Sequence, residues 1–239
     1  MLSDIHGNRQ ALDAVLRAVR EAGAREWWCL GDLVGYGADP AHCLAVCTAG
    51  ASRCLAGNHD LGASGRLALD DFADHAEVAL AWTRKVLGRV GMAKLDRLEP
   101  LDGDADVPLY HASLRDPIWE YVLDAETASA SLELLEAPLA LNGHTHLPSA
   151  WRLDEDGRLR GGIAAGETTL RLEGGRWLVN PGSVGQPRDG DARAAWALLD
   201  PEARTIQFRR TPYDVAGAQN AILSAGLPSL LAARLAEGW

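Results

Sequence analysis

The sequence predicts one α/β domain in which two β-sheets stack face to face with helices on the outside. Three observations lead there. In the first half, short apolar runs alternate with longer stretches whose apolar residues recur every three or four positions, as strand alternating with helix would give. After His146 the texture changes to six short apolar runs, several of them divided by turn pairs such as Asp156-Gly157 and Gly174-Gly175. Finally, three successive early strands each run straight into a polar, glycine-bearing segment. In parallel α/β sheets, function collects at such carboxyl ends.

Taken in order, residues 1–3 read as the tail of a strand. Residues 8–22 form a helix, with Leu12, Val15, Leu16 and Val19 as its apolar stripe and Gly23 as its stop. Residues 27–30 are a strand. Residues 40–48 are a helix with Pro40 in its first turn, where the missing N–H is not needed. Residues 53–56 are a third strand. The pattern over 67–98 is helical, with Trp82 and Leu87 expected in the core. Strands at 107–110 and 139–142 follow, with a helix near 126–135 between them. The short runs 151–153, 159–163, 168–172, 177–180, 195–199 and 205–209 are expected to make an antiparallel second sheet. Helices at 215–223 and 230–236 close the chain. No repeat, low-complexity tract or linker interrupts residues 1–239, so a single domain is expected.

Composition narrows the function classes. The chain has 239 residues, 47% of them hydrophobic, enough for a real core. A net charge of −10 opposes non-specific binding to nucleic acid or to anionic membrane. No run of about 18 apolar residues suggests a membrane span, and no basic segment followed by an apolar one marks a secretory leader. Cys29, Cys43, Cys47 and Cys54 lack paired zinc-ribbon spacing and are read as reduced core thiols of a cytoplasmic protein. The oligomeric state is left open, a homo-oligomer included.

Five segments carry the chemistry: SDIHGN at 3–8, GDLVGYG at 31–37, GNHD at 57–60, YHAS at 110–113 and GHTH at 143–146. Five of the seven histidines fall in them. Asp4 and His6 are two apart on a loop leaving a strand, so both can turn toward one ion. Asp32 follows a glycine that lets backbone approach closely, and an Asp so placed can bridge two ions. Asn58 offers an amide oxygen, His144 and His146 two neighbouring imidazoles, and His111 a further one. Seven donors exceed what one divalent ion usually takes from protein and suit two ions that share a bridge. Singly, an Asp-x-His is a common surface turn and Asn58-His59-Asp60 could be an Asx turn. Together, at successive strand ends, they point to one converging site. His42, on a helix, and His75, in the acidic stretch Asp70, Asp71, Asp74, Glu77, are read as surface residues.

In this order the segments resemble the motifs of the calcineurin-like metallophosphoesterase superfamily. The element Asn180-Pro-Gly-Ser-Val-Gly-Gln-Pro-Arg188 is similar to its small bacterial and archaeal phosphodiesterase-like branch. The resemblance covers residues 1 to about 190. It implies a four-layer αββα sandwich of two mixed β-sheets flanked by helices. Carried over by motif, Asp4, His6, Asp32 and His146 would hold one metal, and Asp32, Asn58, His111 and His144 a second. His59 would face the substrate as acid or transition-state donor, with Asp60 orienting it. The donor set suits Mn, Fe, Zn, Co or Ni.

Three departures shape the expected activity. The arginines with which protein phosphatases of the superfamily grip phosphate are absent; the positions read Gly35-Tyr36-Gly37 and Ala56-Gly57. The fourth motif reads His111-Ala112-Ser113-Leu114, with the ligand kept. The strand before Asp4 has two or three residues instead of five or six, so the natural protein is expected to begin upstream with an apolar, β-branched run. The expectation is thus a two-metal phosphodiesterase that cleaves small phosphodiesters by a metal-held hydroxide. Arg188 is a candidate for gripping substrate phosphate, against the alternative of a structural turn pairing it with Asp189 or Asp191. A phosphomonoesterase or protein phosphatase, or a binding scaffold of the same fold without turnover, are the other readings. Each ligand position and His59 being intact argues against the scaffold.

Overall fold

The computed structural model describes residues 1–103 and 106–239. The elements run α1 (Arg9–Glu21), β1 (Trp28–Cys29), α2 (Pro40–Gly50), β2 (Arg53–Cys54), α3 (Asn58–Ser64), α4 (Asp74–Leu95), β3 (Leu101–Asp102), β4 (Leu109–Tyr110), α5 (Ala125–Leu134), β5 (Leu139–Leu141), β6 (Pro148–Leu153), β7 (Leu159–Ile163), β8 (Thr169–Arg171), β9 (Arg176–Pro181), β10 (Ala194–Asp200), β11 (Thr205–Thr211), α6 (Val215–Ser224) and α7 (Ser229–Glu237). No described helix is long and apolar enough to cross a membrane.

Local chemistry sets the helix ends. Asn8 caps α1 by accepting from Ala11 N–H, Asp124 caps α5 through Thr127, and Asp214 caps α6 through Gly217. Each such cap contributes about 1 kcal/mol. The α1 stripe of Ala11, Leu12, Val15 and Val19 is buried. The helical pattern at 67–98 resolves into a 3-10 turn at Leu69–Asp71 and α4, which breaks at Gly88 (φ 55°, ψ −170°). Trp82 and Leu87 are partly buried against the core instead of inside it.

The strands form two mixed sheets. One has the order β3-β4-β5-β9-β6-β7, with β4, β5 and β9 parallel and the other pairs antiparallel. The other consists of the parallel pair β1-β2 and the antiparallel trio β10-β11-β8. Met1 and Leu2 join these two pieces. Leu2 bridges Cys29 in parallel, bonding Trp28 O and Leu30 N, while Met1 exchanges two hydrogen bonds with Ala197. The strands after His146 therefore do not form a sheet of their own. Strands β6, β7 and β9 complete the sheet begun by β4 and β5, whereas β8, β10 and β11 complete that of β1 and β2. Periodicity reports which face of a strand is buried but not which strand lies beside it, so sheet membership could not be read from the pattern.

Side-chain alternation shows the four layers. Leu139, Leu141, Ala150, Val179, Ala197 and Phe208 face the core between the sheets. Their neighbours Ala140, Trp151 and Leu178 pack against Leu132 and Leu135 at α5, outside the first sheet. Trp196 and Cys29 pack against α1 and α2, outside the second. The four cysteines are free thiols; Cys29, Cys43 and Cys47 are buried, while Cys54 is only half-buried at the edge of the core.

Candidate metal centre

Every predicted donor leaves the carboxyl end of a parallel strand. The stub at Leu2 delivers Asp4 and His6, β1 delivers Asp32, β2 leads to Asn58, β4 to His111, and β5 to His144 and His146. All seven are buried. Asp4, His6, Asp32 and His146 offer donor atoms within 4.8 Å of one another, and Asp32, His111 and His144 make a second such group. Asn58 Oδ1 lies 3.3 Å from His111 Nε2. Asp32 belongs to both groups: its Oδ2 is 3.5 Å from His6 Nε2 and 3.6 Å from His111 Nε2.

Each candidate histidine ligand rests one ring nitrogen on a backbone carbonyl. His6 Nδ1 meets Val34 O at 3.2 Å, His111 Nδ1 meets Leu30 O at 2.8 Å, His144 Nε2 meets Trp119 O at 3.2 Å and His146 Nδ1 meets Gln186 O at 2.6 Å. A carbonyl oxygen only accepts, so these nitrogens carry the proton and the others are left as lone pairs. Burial favours this neutral form and holds His6, His144 and His146 well below the usual imidazole range. The Nε2 atoms of His6 and His146 then face each other as two lone pairs at 3.0 Å. Asp4 Oδ1, 3.5 Å from His146 Nε2, is buried with no hydrogen-bond partner. Burial also pushes the Asp4 carboxyl up to about 7 and that of Asp32 up to about 8. Opposed lone pairs, an orphaned carboxylate oxygen and buried acids all call for positive charge at one spot. The residues fit a divalent cation.

Backbone strain accompanies these donors. Among the described residues, the non-glycine positions with positive φ are Asp4 (54°), His6 (48°), Asp32 (54°), Tyr36 (57°), His144 (67°), His146 (62°) and Arg204. All but Arg204 belong to this site. A side-chain-bearing residue there costs about 1–2 kcal/mol. Two glycines permit the loops to close on one another. A Cβ at Gly57 would lie 2.0 Å from Asp32 Oδ1, and one at Gly143 would lie 2.0 Å from Ser3 Oγ.

His59 and Asp60 sit on the first turn of α3, a short helix. Asp60 does not reach the His59 ring, which corrects the expectation that it orients that ring directly. Its carboxylate accepts from the backbone N–H groups of Gly57 (2.9 Å), Leu33 (3.0 Å) and Val34 (3.1 Å). A carboxylate with three such donors clamps the second motif onto the third and fixes His59 through its backbone. The His59 N–H in turn donates to Asp32 Oδ1 at 2.9 Å. The ring packs against Tyr36 (4.4 Å), His6 (4.8 Å) and Phe72 (5.3 Å), and its Nδ1 is buried without a partner. Unlike the four other histidines, its tautomer is not fixed by a carbonyl.

The segment after β9 braces the site. Ser183 Oγ donates to Asp4 O at 2.7 Å, Gly185 N–H to the same oxygen at 2.9 Å, and Asn180 Nδ2 to Gly143 O at 2.6 Å. Arg188, at its end, donates to Gln186 Oε1 at 3.0 Å, and its Nε is buried without a partner. The alternative pairing with Asp189 or Asp191 does not form. Asp189 is taken by Arg210, and Asp191 by Arg193 at 2.7 Å. Beside the mouth, Phe72 packs on Trp119, and Tyr121 stacks on His144 at 4.1 Å. Tyr36, Trp119 and Tyr121 were not singled out from sequence. Only Tyr36 lay inside a motif, and it carried no donor spacing. His42 bonds Asp13 at 2.8 Å on α1, as a surface residue does. His75 is half-buried and stacks over Tyr36 at 6.0 Å, closer to the site than its acidic neighbours suggested.

Comparison with known proteins places the family and the fold. Residues 1–204 match the family model described as the calcineurin-like phosphoesterase superfamily domain. The chain is 35% identical to the uncharacterized protein MJ0912 of Methanocaldococcus jannaschii over 244 residues, covering all of this chain and 97% of that protein. It superposes on a metallophosphoesterase crystal structure from Sphaerobacter thermophilus with a TM-score of 0.88 at 38% identity, over 100% of this chain and 97% of that one. A hypothetical protein from Pyrococcus horikoshii, PH1004, shares the fold at a TM-score of 0.78 and 20% identity, with 100% and 97% coverage.

Proposed function

The chain belongs to the calcineurin-like phosphoesterase superfamily, and from that premise we propose that it is a two-metal phosphodiesterase acting on small phosphate esters. The observation that carries the reading is a pair of buried donor groups sharing Asp32. Divalent ions held there would supply Lewis acidity to phosphoryl oxygens and lower the pKa of a water. Asp4, His6, Asp32 and His146 would hold one ion, and Asp32, Asn58, His111 and His144 the other.

The remaining residues have separate work. His59 lacks the carbonyl that fixes the other rings, so either nitrogen can carry the proton. That suits a group that donates to a leaving oxygen. Asp60 keeps its backbone in register with Asp32. Arg188 has no Asp or Glu partner among the described residues and suits the grip on a substrate phosphate that the missing family arginines would otherwise provide. The absence of those arginines favours diesters over monoesters.

Metal-reconstituted protein assayed on model diesters, monoesters and cyclic nucleotides tests the reading. Asn58→Ala and Asp32→Asn should lose metal and activity together. His59→Gln should keep metal content near normal while kcat falls, because its role is confined to the transition state. Equal metal loss in all three variants by elemental analysis would contradict the division of roles. Faster turnover of monoesters than diesters would overturn the diester preference.

A further inference from the structure

The imidazole of His59 is held by packing, whereas the four candidate ligand imidazoles are held by hydrogen bonds. A backbone carbonyl fixes each of those four, but His59 Nδ1 is enclosed without a partner. Among the described residues, three rings from separate segments pack against it: Tyr36 with centroids 4.4 Å apart, His6 at 4.8 Å and Phe72 at 5.3 Å. His6 and Phe72 meet it edge to face, at 83° and 68°, and Tyr36 is tilted at 54°. Aromatic contacts have preferred geometries, so they set the angle of a ring as well as its place.

The backbone bends to build this cage. Gly35 and Tyr36 both have positive φ, 88° and 57°. The glycine is required, because a Cβ there would lie 2.5 Å from His59 Nδ1. Tyr36 is a large residue in the left-handed region, a strained placement of the kind that collects at functional sites. Of the positive-φ residues at the site, it alone is no candidate metal ligand. An apolar seat keeps it there, in a buried cluster with Ala76, Ala79, Ile222 and Leu231. Phe72 is backed in turn by Trp119 at 5.0 Å, whose carbonyl holds His144. Both walls of the cage are thus anchored outside α3.

We propose that Tyr36 and Phe72 are positioning residues for His59, holding its imidazole at the angle from which its N–H meets the leaving oxygen. The inference rests on the phosphodiesterase reading above. A hydrogen bond would also fix the ring, but it would commit one nitrogen as donor or acceptor. Packed rings fix the angle and leave both nitrogens free. Placement matters because an error of about 1 Å in a catalytic group can cost about a hundredfold in rate.

Two measurements test it. The p-nitrophenyl and phenyl esters of thymidine 5′-phosphate differ in the basicity of the leaving oxygen. In metal-reconstituted enzyme, Tyr36→Ala and Phe72→Ala should each lower kcat on the phenyl ester about tenfold or more, with KM and metal content little changed. The loss should be smaller on the p-nitrophenyl ester, whose leaving oxygen needs less help. Tyr36→Phe, which keeps the ring, should restore most of it. In a His59→Gln background neither alanine should lower kcat further, since the ring through which it acts is gone. A site merely loosened by a cavity would lose metal, or slow both esters alike and add to His59→Gln; either result overturns the proposal. The second measurement needs no turnover. In zinc-loaded protein with 13C-labelled histidine, the His59 ring signal is the one missing from His59→Gln. Its order parameter should fall in Tyr36→Ala and in Phe72→Ala, and stay at the wild-type value in Tyr36→Phe. Circular dichroism melts confirm folding, and if Tyr36→Ala does not fold, the half-buried Phe72 carries the test. If the wild type hydrolyses neither ester, the phosphodiesterase reading fails and the order parameter alone decides whether the cage holds the ring. An order parameter unchanged in the folded alanine variants overturns the proposal.

Discussion

Left-handed backbone at the donor positions makes a prediction whose sign differs between neighbouring residues. At Asp32 and His146, φ is 54° and 62°. Replacing either by Ala or by Gly removes the same functional group, so the two variants differ only by a methyl. That methyl costs about 1–2 kcal/mol in this conformation, while glycine loses about 0.5–1 kcal/mol more chain entropy on folding. The Gly variant should therefore be the more stable by about 1 kcal/mol, or about 2–4 °C for a chain of this size. Asn58 is the internal control. It donates to the same site but begins α3, with no positive φ, so the order reverses and Ala wins by about 1 kcal/mol. The assay is thermal or urea unfolding of the six metal-free variants. If Ala and Gly rank the same way at Asp32, His146 and Asn58, backbone strain is not what distinguishes the donor positions.

Two further predictions concern the ligand shell. In the folded, metal-free protein burial holds Asp4 up to about 7 and Asp32 up to about 8, so below those values metal must displace a proton from each. The competition disappears as pH rises through 7 and 8, and the increase in melting temperature on adding Mn or Zn should be larger at pH 8.5 than at pH 6; an equal increase at both would count against these carboxylates as ligands. Asp60→Ala strands three buried backbone N–H groups and should lower stability by about 3 kcal/mol or more even without metal, whereas a change below about 1 kcal/mol would mean that water replaces the clamp.

The site was legible because its donors are short-range signals. Asp4 with His6, or His144 with His146, needs only two positions of sequence, and the strand before each pair dictates where it emerges. Convergence of the seven donors followed from counting strand ends. What could not be read is set by partners distant in sequence. The carbonyls of Val34, Leu30, Trp119 and Gln186 fix the imidazoles, yet a carbonyl has no residue identity. Asp60 looked like a partner of the adjacent His59, but its oxygens turn to Leu33 and Val34, since buried N–H groups at a loop crossing bind a carboxylate more strongly than a neutral ring does. The sheets were divided wrongly for the same reason, because β9 and β10 have similar apolar patterns and different neighbours.

The position of Met1 and Leu2 bears on how the molecule is made. They hold the middle of a sheet whose other half includes Ala197, 196 residues later. At about 5–20 residues per second, synthesis leaves this edge open for roughly 10–40 s. During that interval Asp4 and His6 are on the growing chain without the loop at residues 180–188 that seats them. Any ion held by Asp4 and His6 would therefore need the segment around Ser183 and Gly185, which bonds to the Asp4 carbonyl, to have been made first.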